Sequence, residues 1–108
     1  MQFCPWYPLP NAAAYTPATP GVWQVRLATG LRDFPGGKSA MVAYGYADDV
    51  AVAVADFAAG YAAHAPLWVC RHLIGNDDIP LPPAPELAAF CAKLVAQFTA
   101  RFGAEPQP

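Results

Sequence analysis

The sequence predicts an α+β domain. It has a small three-stranded, mostly antiparallel sheet with two packed helices, in the order β-β-α-β-α, preceded by an extended arm rich in proline and aromatic residues. Three observations lead there. A chain of 108 residues suits one domain with one core. Two windows repeat apolar residues at helical spacing, while three others are short alternating or apolar runs bounded by turn formers. Pro5, Pro8, Pro10, Pro17 and Pro20 crowd the start, and proline both fixes φ and removes a backbone donor.

The arm, residues 1–20, therefore reads as extended, neither helix nor central strand. It also carries Phe3, Trp6, Tyr7, Leu9 and Tyr15, and disordered segments are poor in aromatics. It is expected to lie against the domain or a partner, with Trp6, Tyr7 and Tyr15 as interface anchors. Residues 21–103 form the domain. In "GVWQVRLA" (21–28) Trp23, Val25 and Leu27 alternate with Gln24 and Arg26, a strand with one wet face. "TGLRDFPGGK" (29–38) is loop, and "SAMVAYGYA" (39–47) is a second strand antiparallel to the first.

"DDVAVAVADFAAGYAAH" (48–64) alternates over its first residues, yet Val50, Val54, Phe57 and Tyr61 share one helical face. Its length and alanine content favour helix, with Asp48 or Asp49 as N-cap. "PLWVCRHLIG" (66–75) is a strand and "NDDIPLPPAP" (76–85) a loop. The last helix opens near Glu86 and buries Leu87, Phe90, Cys91, Leu94, Phe98 and Phe102. Gly103 stops it, and residues 104–108 are a flexible tail.

Charged residues make up only 13% of the chain, against about 25% in an average soluble domain. The six Lys and Arg residues are scattered and the net charge is −2. A basic nucleic-acid footprint is therefore not expected, and a surface so poor in charge suits coverage by another protein or by a second copy. Cys4, Cys70 and Cys91 have no close spacing, which argues against a disulfide framework and a metal knuckle and suits a reducing, cytoplasmic setting. The start lacks the basic region of a signal peptide. The most apolar window, about residues 50–70, contains Asp56, His64 and Pro66, so no membrane span is expected.

Several short patterns invite chemistry. "YADD" (46–49) is similar to the metal-binding turn of polymerases, but that chemistry needs a third carboxylate on another strand and a far longer chain. "PGGKS" (35–39) looks like the end of a phosphate loop, yet Arg32 stands where a glycine is required and a strand follows instead of a helix. His64, His72, Asp77 and Asp78 have no local metal-ligand spacing. Arg71, inside an apolar strand, is explained by edge exposure, by pairing with a carboxylate such as Asp56, or by a binding groove.

"PGVWQVR" (20–26), then "KSAMVAYGYADDV" (38–50), then a helix, resembles the GIY-YIG nuclease domain over about residues 20–60. Gly21-Val22-Trp23 matches the first motif and Ala43-Tyr44-Gly45 the second. The resemblance implies a scaffold on which a tyrosine from each motif, a helical arginine and a metal-binding glutamate hydrolyse phosphodiesters. Here those positions hold Trp23, Ala43 and Ala53, and only Glu86 stands in for the glutamate. Alanine cannot clamp a phosphate. The resemblance thus implies a scaffold without its chemistry, a non-catalytic interaction or accessory module that needs no cofactor. The alternative is a metal-dependent endonuclease with relocated groups: Tyr44 or Tyr46 as phenol, Arg71 as clamp, and Glu86 as ligand to Mg²⁺ or Mn²⁺. A third reading is a small-molecule domain with a pocket lined by Tyr44, Tyr46, Trp68 and Arg71.

Overall fold

A computed structural model describes residues 2–108. In spite of its prolines the arm forms two short strands, β1 (Gln2–Phe3) and β2 (Tyr7–Pro8), and one helical turn, α1 (Leu9–Ala12). Pro10 lies in the first turn of α1, where a missing N–H is no loss. A 3₁₀ turn, Ala13–Tyr15, follows. The domain proper comprises β3 (Gly21–Leu27), β4 (Arg32–Phe34), β5 (Gly37–Ser39), β6 (Met41–Ala47), α2 (Val50–Gly60), β7 (Trp68–Ile74) and α3 (Ala84–Phe102). Among the described residues, no helix is long and apolar enough to cross a membrane.

The fold class is α+β, with β3 at the centre of an antiparallel sheet. It pairs with β6 on one side and β7 on the other. β6 and β7 therefore run in the same direction on either side of β3, and α2 connects them. The expected three strands are present, but β1 and β2 add to the outer edge of β7 and make the sheet five-stranded. The arm is thus not merely extended. Its register is anchored by Cys4, Leu9 and Ala12, all buried. The segment 29–38 also departs from a plain loop, because β4 and β5 form a hairpin of their own.

Strand alternation distributes side chains to two apolar clusters. Trp23, Val25, Trp68 and Cys70 pack with Val50 and Val54 of α2 and Leu9 of α1. Val22 and Leu73 pack with Leu87 and Cys91 of α3. Full burial of side chains such as Val22, Val25 and Val54 contributes about 1.5–3 kcal/mol each. β3 consequently has no wet face along most of its length: Gln24 is only 5% exposed, and solvent meets the strand at Arg26. The register shifts between Val25 and Arg26, and both Val42 and Ala43 join the α2-side cluster there.

Asp49, of the two capping candidates, closes the start of α2, its carboxylate accepting from the Val52 N–H at 3.0 Å. In α3, Leu87, Cys91 and Phe98 are buried and Phe90, Leu94 and Phe102 half-buried, as the apolar stripe predicts. Gly103 ends it at φ 79°, a conformation that suits glycine. The β4–β5 hairpin docks on this end. Phe34 packs edge-on to Phe98 at 5.1 Å, and the Gly36 N–H donates to the Phe102 carbonyl at 2.8 Å. The tail is not simply frayed, since the Arg32 guanidinium donates to the Gln107 carbonyl.

Gly45 of β6 lies directly under the Trp23 ring. A Cβ there would meet ring carbons at 2.3 Å, whereas one at Gly60 would meet nothing within 4 Å. Gly45→Ala is expected to lower stability by about 1–3 kcal/mol through overpacking. Gly60→Ala, in the last turn of α2, is expected to raise it by about 0.5–1 kcal/mol. Thermal melts of the two variants check both.

Candidate functional site

Trp23, Ala43 and Ala53, which stand at the two tyrosine positions and the arginine position of the resemblance, come together on the α2 side of the sheet. Trp23 belongs to the buried cluster there, and Ala43 and Ala53 pack against it. The Trp23 ring sits over Gly45 and meets Phe57 edge-on at 5.1 Å. It is 8% exposed, and its Nε1 is buried with no hydrogen-bond partner among the described residues. An indole donates but does not accept a proton, and two methyl groups cannot hold a phosphate.

The relocated set lies on the other face. Register places Tyr44, Gln24 and Arg71 in one row across β6, β3 and β7, with Tyr46 two residues along β6 from Tyr44 on the same side. Tyr44 and Tyr46 pack around the α3-side cluster. Burial raises the Tyr44 phenol, with Arg71 opposing the shift. The Tyr46 hydroxyl donates to Asp48 Oδ1 at 2.8 Å, and that bond raises its pKa and keeps it protonated. Glu86 is exposed in the first turn of α3 and takes part in no ion pair among the described residues. Trp68 faces α2, stacked with His64 at 5.5 Å, so the pocket of Tyr44, Tyr46, Trp68 and Arg71 is not assembled. Asp56 is exposed on α2, and Arg71 bonds Gln24 instead. His64, His72, Asp77 and Asp78 do not converge: among the described residues no three His, Cys, Asp or Glu side chains form a metal-holding group.

The arm-covered end of the α3 side holds a denser arrangement. Between the pairs Phe3↔Leu73 and Tyr7↔Cys70 the arm spans one residue more than β7, and Trp6 falls in that excess. The guanidiniums of Arg26 and Arg71 lie 4.1 and 4.4 Å from its ring centroid. Arg71 also lies 4.5 Å from the Phe3 ring, and its Nε donates to Gln24 Oε1 at 2.8 Å. Burial, and then the Arg26 charge beside it, lowers the Arg71 pKa. Among the described residues the single ion pair joins Lys38 and Asp33 at 3.4 Å, so neither arginine has a carboxylate partner. Of the other expected anchors, Tyr7 and Tyr15 stack on each other at 4.4 Å, with Tyr15 59% exposed.

The Arg26–Trp6 and Cys4–His72 contacts were not foreseen from the sequence. Alternation along "WQVR" does put Gln24 and Arg26 on one face, but nothing local specifies which arm residue meets them. Cys4 Sγ accepts from the His72 N–H at 3.3 Å and lies 3.3 Å from Nδ1, on the α2 side of the sheet. All three thiols are free and buried, and burial pushes Cys70 up to about 12, which removes it as a nucleophile at neutral pH.

Comparisons with protein-family models, with curated proteins and with solved structures return no match for this chain. The resemblance therefore rests on the quoted residues alone.

Burial lowers the His72 pKa. A depressed folded-state pKa contributes stability above the unfolded value of about 6.5, and that stability is lost as pH falls below it. Melting temperature is expected to drop between about pH 7.5 and about pH 5. His72→Gln should flatten this part of the profile, which scanning calorimetry across that range measures.

Proposed function

We propose that the chain is a non-catalytic accessory module on a GIY-YIG-like scaffold, working by binding another protein or a second copy of itself. The observation that carries this reading is the packing of Trp23 over Gly45, with Ala43 and Ala53 beside it. Side chains that can neither take a proton nor clamp a phosphate occupy the two tyrosine positions and the arginine position to which the resemblance assigns chemistry.

Two surfaces suit docking. β6 is the free edge of the sheet, and its sequence, MVAYGYA, contains neither charge nor proline. Edge strands ordinarily carry such residues to prevent pairing with another chain, and an edge without them can accept a further strand. Tyr15 presents an exposed aromatic on the arm, whose strands pair with β7 at the other edge. The free, buried thiols fit a reducing, cytoplasmic setting.

Light scattering is expected to give a native mass above 11.5 kDa, reduced to the monomer by Tyr46→Lys, which puts a charge on the β6 edge. Incubation with DNA or RNA in Mg²⁺ or Mn²⁺ is expected to give no cleavage. Metal-dependent cleavage by the parent protein that disappears in Glu86→Ala and Arg71→Ala would overturn the proposal in favour of a nuclease with relocated groups.

A further inference from the structure

We propose that Arg26 and Arg71 form a binding site for a phosphate monoester dianion, with the Trp6 indole holding the two guanidiniums in place. The inference rests on the reading of the chain as a binding module and specifies the chemistry of one of its surfaces.

The charge distribution carries the argument. The chain has a net charge of −2 and only six Lys and Arg residues, yet two of them share one indole. Holding like charges together is unfavourable, and no carboxylate among the described residues offsets it. The indole face attracts each cation, but stacking engages the flat face of a guanidinium and leaves its in-plane N–H donors free. Arg71 commits only Nε, to Gln24. Among the described residues its terminal nitrogens and the whole Arg26 fork have no acceptor and remain as donors, and Arg26 is exposed to an arriving ligand.

The site is also fixed before a ligand arrives. Gln24 is nearly buried and sits on the central strand, so its amide sets the Arg71 orientation from beneath. Phe3 and Trp6 hold the same guanidinium from the arm. Pre-positioned donors lose less freedom on binding. A carboxylate brings one negative charge to two arginines. A phosphate monoester brings about −1.5 to −2 at neutral pH and three acceptor oxygens, which matches both charges and suits bidentate arginine contacts. Such a group can come from a phosphorylated metabolite or from a phosphorylated side chain.

The test is a titration of the full chain with inorganic phosphate, and with acetate at matched ionic strength, following the arginine Nε–Hε signals by NMR. Phosphate is expected to shift the Arg26 and Arg71 signals, and acetate is not. Arg26→Gln leaves the Arg71–Gln24 bond intact and is expected to weaken phosphate binding about tenfold or more. Arg71→Lys, which keeps the charge but loses the fork, is expected to weaken it as well. A sugar phosphate and a phosphoserine peptide titrated in parallel identify the source, the tighter of the two being the physiological type. Arginine signals that stay still, acetate that matches phosphate, or full phosphate affinity in Arg26→Gln would each overturn the inference. Those outcomes leave the binding-module reading standing, and nucleic-acid cleavage would overturn that reading separately.

Discussion

β3 is hydrogen-bonded on both sides and covered on both faces, and the rest of the molecule is arranged to keep it so. Pairing with β6 and β7 satisfies its backbone groups, which would otherwise be costly to bury. The α2 and α3 clusters cover its two rows of side chains. Central placement explains why a strand that alternates polar and apolar residues is almost entirely dry. It also explains why Gln24 must hydrogen-bond a side chain, Arg71, instead of water. A buried amide left without a partner would cost about 1–3 kcal/mol.

The two faces of the sheet have separate consequences. On one, Trp23 packs over Gly45 with Ala43 and Ala53 beside it, so that face is closed by an indole and two methyl groups. On the other, polar residues of β3 and β7 reach the arm and gather two arginines that have no carboxylate partner among the described residues. Tyr44 and Tyr46 belong to that side too, but they serve the packing of α3 and a bond to Asp48, and Glu86 remains on the surface.

Much of this was legible in the sequence, for local reasons. The α3 stripe, the Gly103 stop and the Asp49 cap each follow from residues within one or two helical turns of each other. The β3 and β6 strands follow from alternation, and their pairing from the loop between them. What escaped prediction depends on contacts between distant residues. The two strands of the arm exist because β7 offers them an edge some seventy positions later, and prolines every few residues conceal that possibility. The Arg26–Trp6–Arg71 group has the same origin. Its strand half can be derived from the alternation of Gln24 and Arg26, but its arm half depends on one surplus residue opposite β7. The β4–β5 hairpin was hidden because Gly36 and Gly37 resemble a plain turn, and Phe34 finds its partners only at the far end of α3.

The pairing of β1 and β2 with β7 also bears on how the chain is made. The arm is synthesised well before β7, its strand partner among the described residues. Until β7 has formed, Phe3, Cys4 and Trp6 have no sheet edge to dock on, and the nascent chain carries exposed aromatic residues. Long-range closure of this kind slows folding and exposes intermediates to aggregation. The molecule thus stitches the arm onto a strand more than sixty positions further along, a step that awaits synthesis of β7.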